Sequence, residues 1–162
     1  MENHSIMKRV QEELEEVVGL NNMVEESHLP KLQYLAAMIK ETLRMYPTVP
    51  FLIPRSPSKA CMVGGYMIPK GCTFILNVWS IHRDPRYWDN PLEFNPERLC
   101  LGLPLAEKMI MLIVGSLLHS FDWSLPKGEE HDLTETCDMT LKKRKPLIAI
   151  PSQRLSDVGL YM

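Results

Sequence analysis

Several features that would point to a function are absent from this 162-residue sequence, and each absence removes a class of protein. Its four cysteines, Cys61, Cys72, Cys100 and Cys137, include no Cys-x-x-Cys pair, which argues against a zinc site or a disulfide framework and leaves reduced thiols as the expectation. No apolar run approaches the ~20 residues that span a bilayer. The longest, residues 109–118, is about half that length. Residues 1–11 are polar and basic, unlike the apolar stretch of a cleavable signal, so a soluble chain is expected as the sequence stands. Charge of one sign is also missing: 18 Lys and Arg against 20 Asp and Glu leave a formal net charge of −2, so no nucleic-acid footprint is present. The nearest thing to one, Lys142-Lys143-Arg144-Lys145, reads as a solvated turn before an apolar run. There is no internal repeat.

What is present suits one ordinary globular domain: 45% hydrophobic and 23% charged residues are near the soluble average. Met7, Val10, Leu14, Val17 and Val18 recur at helical spacing with an acidic outer face, and Gly19 offers a stop. Pro30 stands early in a second expected helix with Ser27 as a possible cap, and Pro47 ends it after Tyr46. Leu32, Leu35, Ala36, Ile39, Leu43 and Tyr46 form its apolar face. The opposite face, with Tyr34, Ala37, Met38 and Met45 around Glu41, is also largely apolar, which predicts a buried Glu41. Residues 48–57 hold three prolines and read as extended. Strands are predicted over 61–63, 66–68 and 73–78, an irregular loop over 83–96, a core helix over 104–120 and a closing strand over 147–150.

Glu41 and Arg44 are three apart on a helix, where a guanidinium fork can meet a carboxylate with two charge-assisted hydrogen bonds. On an arbitrary helix this spacing is usually a surface pair of little energy. Its company changes the weight: a proline closes the helix, Pro69-Lys70-Gly71 turns between strands, and Arg83-Asp84-Pro85 and Phe94-Asn95-Pro96-Glu97-Arg98 follow in order. Together these resemble the region from helix K to the meander of cytochrome P-450 enzymes. The likeness is greatest to plant microsomal members, through Val63-Gly64-Gly65-Tyr66, Asn77-Val78-Trp79 and Trp88-Asp89-Asn90-Pro91.

The resemblance implies an α+β fold, mainly α with a small β-sheet, forming an incomplete C-terminal portion of the P-450 fold in one partial domain over 1–162. It implies a haem-dependent monooxygenase of plant secondary metabolism that inserts one oxygen atom from O2 into an apolar small molecule. The expected partners are that substrate and an NADPH-dependent reductase, with no nucleic acid, and the family sits on the endoplasmic reticulum membrane. Glu41, Arg44 and Arg98 match the family's structural triad. Cys100, followed by Leu101-Gly102-Leu103-Pro104, matches the haem-iron ligand, a thiolate whose electron density favours O–O cleavage. Its place before a helix N-terminus favours the ionised thiol. Arg55 resembles the arginine that meets a haem propionate, with a plain surface arginine as the alternative. Val49, Phe51, Leu52 and Ile53 resemble the substrate-facing strip, with core packing as the alternative.

The sequence departs from that family in one internal place. Family members carry a longer meander after Pro-Glu-Arg and then a loop with Phe, Gly and Arg that leads into the cysteine; here only Leu99 separates Arg98 from Cys100. This implies a deletion at 99/100 between a part covering 1–98 and a part covering 100–162. At no more than ~3.6 Å of reach per residue, Arg98 and Cys100 are not expected to serve the triad and the iron together. The family's membrane anchor and oxygen-activating helix would precede the first helix here, so a fragment or a non-catalytic remnant is the alternative expectation.

Overall fold

The computed structural model describes residues 4–96, 104–129, 132–137 and 140–161. Three helices carry the core. Helix α1 (His4–Val18) follows the predicted period and ends at Gly19, whose φ of 80° and N–H to the Glu15 carbonyl (3.0 Å) make the left-handed stop that glycine adopts without steric cost.

The second predicted helix is two pieces. Pro30 lies inside a 3-10 turn (Glu26–Lys31), the chain leaves helical geometry at Leu32 (φ −85°, ψ 70°), and α2 (Gln33–Met45) starts afresh. Ser27 is within that turn and caps nothing. The cap of α2 comes from another helix: both Glu13 carboxylate oxygens on α1 accept from the N–H groups of Tyr34 (2.7 Å) and Leu35 (2.9 Å). These are orphan donors of the first turn, and a carboxylate also suits the positive end of the helix dipole.

Val10, Leu14 and Val18 of α1 pack with Leu32, Leu35 and Ile39 and with Met111 of α4 (Pro104–Ser120). Gly115 lets α4 approach, since a Cβ there would stand 3.1 Å from a Leu35 methyl. The expectation that α4 is a core element holds for one face only. Met109, Ile113 and Leu117 are exposed on the other. Tyr46, predicted on the buried face of α2, is exposed at its end.

Among the described residues the strands form three separate two-stranded sheets instead of one. Strands β1 (Cys61–Val63) and β2 (Tyr66–Ile68) pair as predicted. The strand predicted over 73–78 is reduced to one bridge, Arg55 to Phe74, after which the short helix α3 (Val78–Ile81) begins. Its partner segment carries Pro54 and Pro57, which lack the N–H a longer ladder needs. Strand β3 (Phe121–Ser124) pairs with β6 (Ile150–Gln153), three residues beyond the predicted closing strand, because the register Phe121 to Gln153 is set by the end of α4. The hairpin of β4 (Glu135–Cys137) and β5 (Leu141–Lys143) was not predicted, and Lys142 and Lys143 of the basic cluster belong to it. Among the described residues Cys61 and Cys72 are free thiols, and no helix is long and apolar enough to cross a membrane.

At the junction of α4 and β3, His119 is fully buried. Its Nε2 meets the Asn22 carbonyl (3.0 Å), while Nδ1 has no hydrogen-bond partner among the described residues. Burial, more than the neighbouring Arg154, holds its pKa below the ordinary 6.5.

Two outcomes follow from these contacts. Glu13→Ala should cost about 1–2 kcal/mol in a urea denaturation, the range of a lost helix cap. A neutral buried His119 refuses a proton that the unfolded chain accepts, so its contribution is whole above the unfolded value of 6.5 and is lost as pH falls below it. The urea midpoint should therefore drop on acidification from about pH 7 to about pH 5, and His119→Leu should remove part of that slope.

Candidate functional site

The pair that the spacing suggested is the most thoroughly bonded group of side chains among the described residues. Glu41 and Arg44 are both at 0% exposure on the side of α2 away from α1. Arg44 Nε donates to Glu41 Oε2 (2.7 Å) and Nη2 to Oε1 (2.8 Å), the two parallel bonds of a guanidinium on a carboxylate.

The remaining donors of Arg44 reach across the loop after α3. Nη1 donates to the carbonyls of His82 (2.7 Å) and Pro91 (2.9 Å), and Nη2 to that of Glu93 (3.2 Å). All five N–H donors of the guanidinium are thus used. Glu41 Oε1 also accepts from the backbone N–H of Asn95 (2.9 Å). One ion pair therefore holds three carbonyls and one N–H of an irregular segment that has no ladder of its own. The Trp88 ring lies 5.0 Å from the Arg44 guanidinium carbon, and its own N–H bonds the Ile81 carbonyl (3.1 Å).

The end of α2 is tied from the other side. His82 Nδ1 donates to the Arg44 carbonyl (3.2 Å), and Arg83 bonds the Met45 carbonyl while stacking on Trp79 at 4.2 Å. Burial pushes the pKa of His82 down, and the nearby Arg44 and Arg83 guanidiniums oppose its protonation further. A neutral imidazole is the form that fits beside two arginines.

Arg98 and Cys100 lie outside the described residues. Asn95, pinned on Glu41, stands three residues before Arg98 and five before Cys100. Arg55 is exposed, with its backbone bridged to Phe74 (3.0 and 2.8 Å), and no described bond joins it to the Glu41 cluster. The strip beside it is not core: Phe51 is 47% and Ile53 76% exposed, while Val49 and Leu52 are half-buried. Leu52 takes a left-handed φ of 50°, held by the bond from its N–H to the Val49 carbonyl (3.1 Å). What a haem would need of the protein is therefore represented in part, by an exposed cation and apolar side chains at 51–55. His82, Trp88 and the carbonyls of Pro91 and Glu93 escaped sequence reasoning as ligands of Arg44. A carbonyl acceptor leaves no trace in residue identity.

The cytochrome P450 family model matches this chain in two pieces, residues 1–99 and 97–150. Iridoid oxidase of Catharanthus roseus is 39% identical over 181 residues, covering 96% of this chain and 35% of that protein. Flavonoid 3'-monooxygenase of Petunia hybrida is 37% identical over 183 residues, covering 94% and 36%. A zebra fish cytochrome P450 solved with abiraterone superposes with a TM-score of 0.83 at 31% identity, over 95% of this chain and 41% of its own. The chain spans about a third of the length of the curated relatives it matches. Both plant alignments are longer than the chain itself, so each relative carries residues with no counterpart here, in keeping with a family match that breaks around residues 97–99.

Glu41→Ala would leave the Arg44 charge buried and unpaired, a change that should cost about 3–5 kcal/mol in equilibrium unfolding. Limited proteolysis of the same variant should cut first within residues 82–95, the segment the pair holds.

Proposed function

Because the chain belongs to the cytochrome P450 family of haem-dependent monooxygenases, we propose that it forms the C-terminal framework of such an enzyme, acting on an apolar small molecule. The observation that carries this reading is the buried Glu41–Arg44 pair and the loop it fixes up to Asn95, immediately before the segment that bears Cys100. In this reading residues 1–162 are one partial domain, with a deletion at 99/100 between the part covering 1–98 and the part covering 100–162.

Cys100 would supply the thiolate to haem iron and Arg55 a cation to a propionate, while Val49, Phe51, Leu52 and Ile53 face the substrate. The bound haem supplies the oxygen chemistry. Glu41, Arg44 and Arg98 act structurally, holding the proximal segment to α2. The relatives' names, an iridoid oxidase and a flavonoid 3'-monooxygenase, support a secondary-metabolite substrate. Electrons would come from an NADPH-dependent reductase at the endoplasmic reticulum membrane.

A second reading has its own observation. Asn95 is fixed on Glu41, only Leu99 separates Arg98 from Cys100, and the family match breaks there. Two residue steps span at most about 7 Å. A thiolate ligand also needs backbone N–H donors around its sulfur, and the division of the family match just before Cys100 supports a shortened loop there. On this reading the chain keeps the P450 scaffold and does not hold haem.

Titrating the purified chain with haem separates the two. The first reading expects a ferrous carbon monoxide spectrum of the thiolate-ligated type, lost in Cys100→Ala, with haem affinity at least about ten-fold weaker in Arg55→Ala, as for a lost charged hydrogen bond. A carbon monoxide spectrum without the thiolate shift, or haem binding indifferent to Cys100→Ala, rejects it in favour of the second.

A further inference from the structure

Of the serines and threonines in this sequence, Ser56 alone is followed by proline. It lies in Arg55-Ser56-Pro57-Ser58-Lys59, a stretch that the proposed function uses only through Arg55. A protein kinase asks its substrate for an extended backbone, a reachable hydroxyl and flanking groups that its cleft can read. All of these are found here.

The backbone is extended for local reasons. Pro54 and Pro57 fix their own φ and drive the residues before them, Ile53 and Ser56, out of helical geometry. Arg55 exchanges both backbone bonds with Phe74 (3.0 and 2.8 Å), and the Pro57 carbonyl accepts from the Gly71 N–H (3.4 Å). Ser56 sits between these two ties, so it is presented on an anchored segment rather than a loose one. No residue from 51 to 77 is buried, and the Ser56 hydroxyl makes no hydrogen bond among the described residues.

Pro57 selects the class of enzyme. Proline has no N–H, so a kinase that must bond the backbone of the residue after its target rejects this site, while one with an apolar pocket at that position accepts it. Lys59, three residues after Ser56, adds a cation for an anionic group on such a kinase. Arg55 and Lys59 are exposed and make no described ion pair, and between Glu41 and Asp84 there is no acidic residue to engage them.

We propose that Ser56 is the phosphoacceptor of a proline-directed protein kinase that selects a cation at the third following position, and that the phosphate then engages Arg55. In the transfer, Ser56 Oγ attacks the γ-phosphorus of ATP, the bond from that phosphorus to the ADP oxygen breaks, and the hydroxyl proton passes to the kinase's base. No group changes oxidation state. The product carries about two negative charges and three acceptor oxygens one residue from Arg55, whose guanidinium fork suits phosphate as well as carboxylate. The consequence rests on the reading of Arg55 as a propionate cation: a guanidinium engaged by phosphate is withdrawn from haem.

Incubating the purified chain with ATP and a cyclin-dependent kinase tests the site without haem. One phosphate per chain should appear, located at Ser56 by mass spectrometry, lost in Ser56→Ala and Pro57→Ala and retained in Ser58→Ala. Lys59→Ala should lower kcat/KM for the chain by at least about ten-fold, as for a lost charged hydrogen bond. Phenylglyoxal should modify Arg55 about ten-fold more slowly in the phosphorylated chain than in the unmodified one, by the same reasoning. Arg144, exposed and distant in sequence, should react equally in both. Phosphate at another position, incorporation indifferent to Pro57→Ala or Lys59→Ala, or a free peptide of residues 50–63 that is phosphorylated while the folded chain is not, would each overturn the site. Equal reaction rates at Arg55 would overturn its engagement. Haem binding is read apart: a chain that gains phosphate and protects Arg55, yet takes up no haem in either form, rejects the haem reading and upholds this one.

Discussion

A carboxylate and a guanidinium removed from water carry a desolvation cost that is offset only when every lone pair and every N–H finds a partner. Arg44 meets that condition with five N–H bonds to Glu41 and to carbonyls of residues 82–93, and Glu41 accepts two of these and the N–H of Asn95. The dependence runs both ways. The loop has no regular structure of its own, and its carbonyls point inward because a buried cation is there to receive them. The cation is tolerable at zero exposure because the loop covers it. Trp88 closes the arrangement as a flat, apolar lid with its N–H already engaged.

The position of that pair is decided by helix packing. Leu35 and Ile39 turn one side of α2 into the three-helix core, so Glu41 and Arg44 emerge on the other. The first turn of α2 is held by the Glu13 carboxylate on α1, and Gly115 lets α4 close over Leu35. Three independent contacts thus fix the axis from which the site is built. Beyond α4, Arg154 bonds the His119 carbonyl (3.2 Å) and Glu15, and the Tyr161 hydroxyl donates to the Ser120 carbonyl (2.7 Å) while accepting the Leu155 N–H (2.9 Å). The C-terminal strand is sewn to α1 and α4, while no residue from 51 to 77 is buried.

The same fixation sets a limit on the proposed haem segment. Asn95 is anchored by its backbone, and α4 begins at Pro104, so the span that includes Cys100 is tethered at both ends to the helical core. Curated relatives have additional residues to spend in their alignments, and this chain's family match divides at that place. The described contacts of the Glu41–Arg44 pair lie within residues 41–95, ahead of the place where the family match divides.

Helical periodicity, the glycine after Val18, the apolar surroundings of Glu41 and the order of motifs from Glu41 to Pro96 were legible because each depends on side-chain identity along a short stretch. They were enough to place the chain in its family and to expect a buried carboxylate. The break at Leu32, the loss of the strand over 73–78 and the shift of the closing strand to Ile150–Gln153 depended on partners distant in sequence: the Glu13 cap, a proline-rich neighbour and the β3 register. What the sequence alone determined, then, is the family and the two charges of the central pair. Only the tertiary structure decided which carbonyls Arg44 holds and that residues 51–77 stay unburied, because backbone acceptors are chemically alike in every residue and exposure is a property of the surroundings.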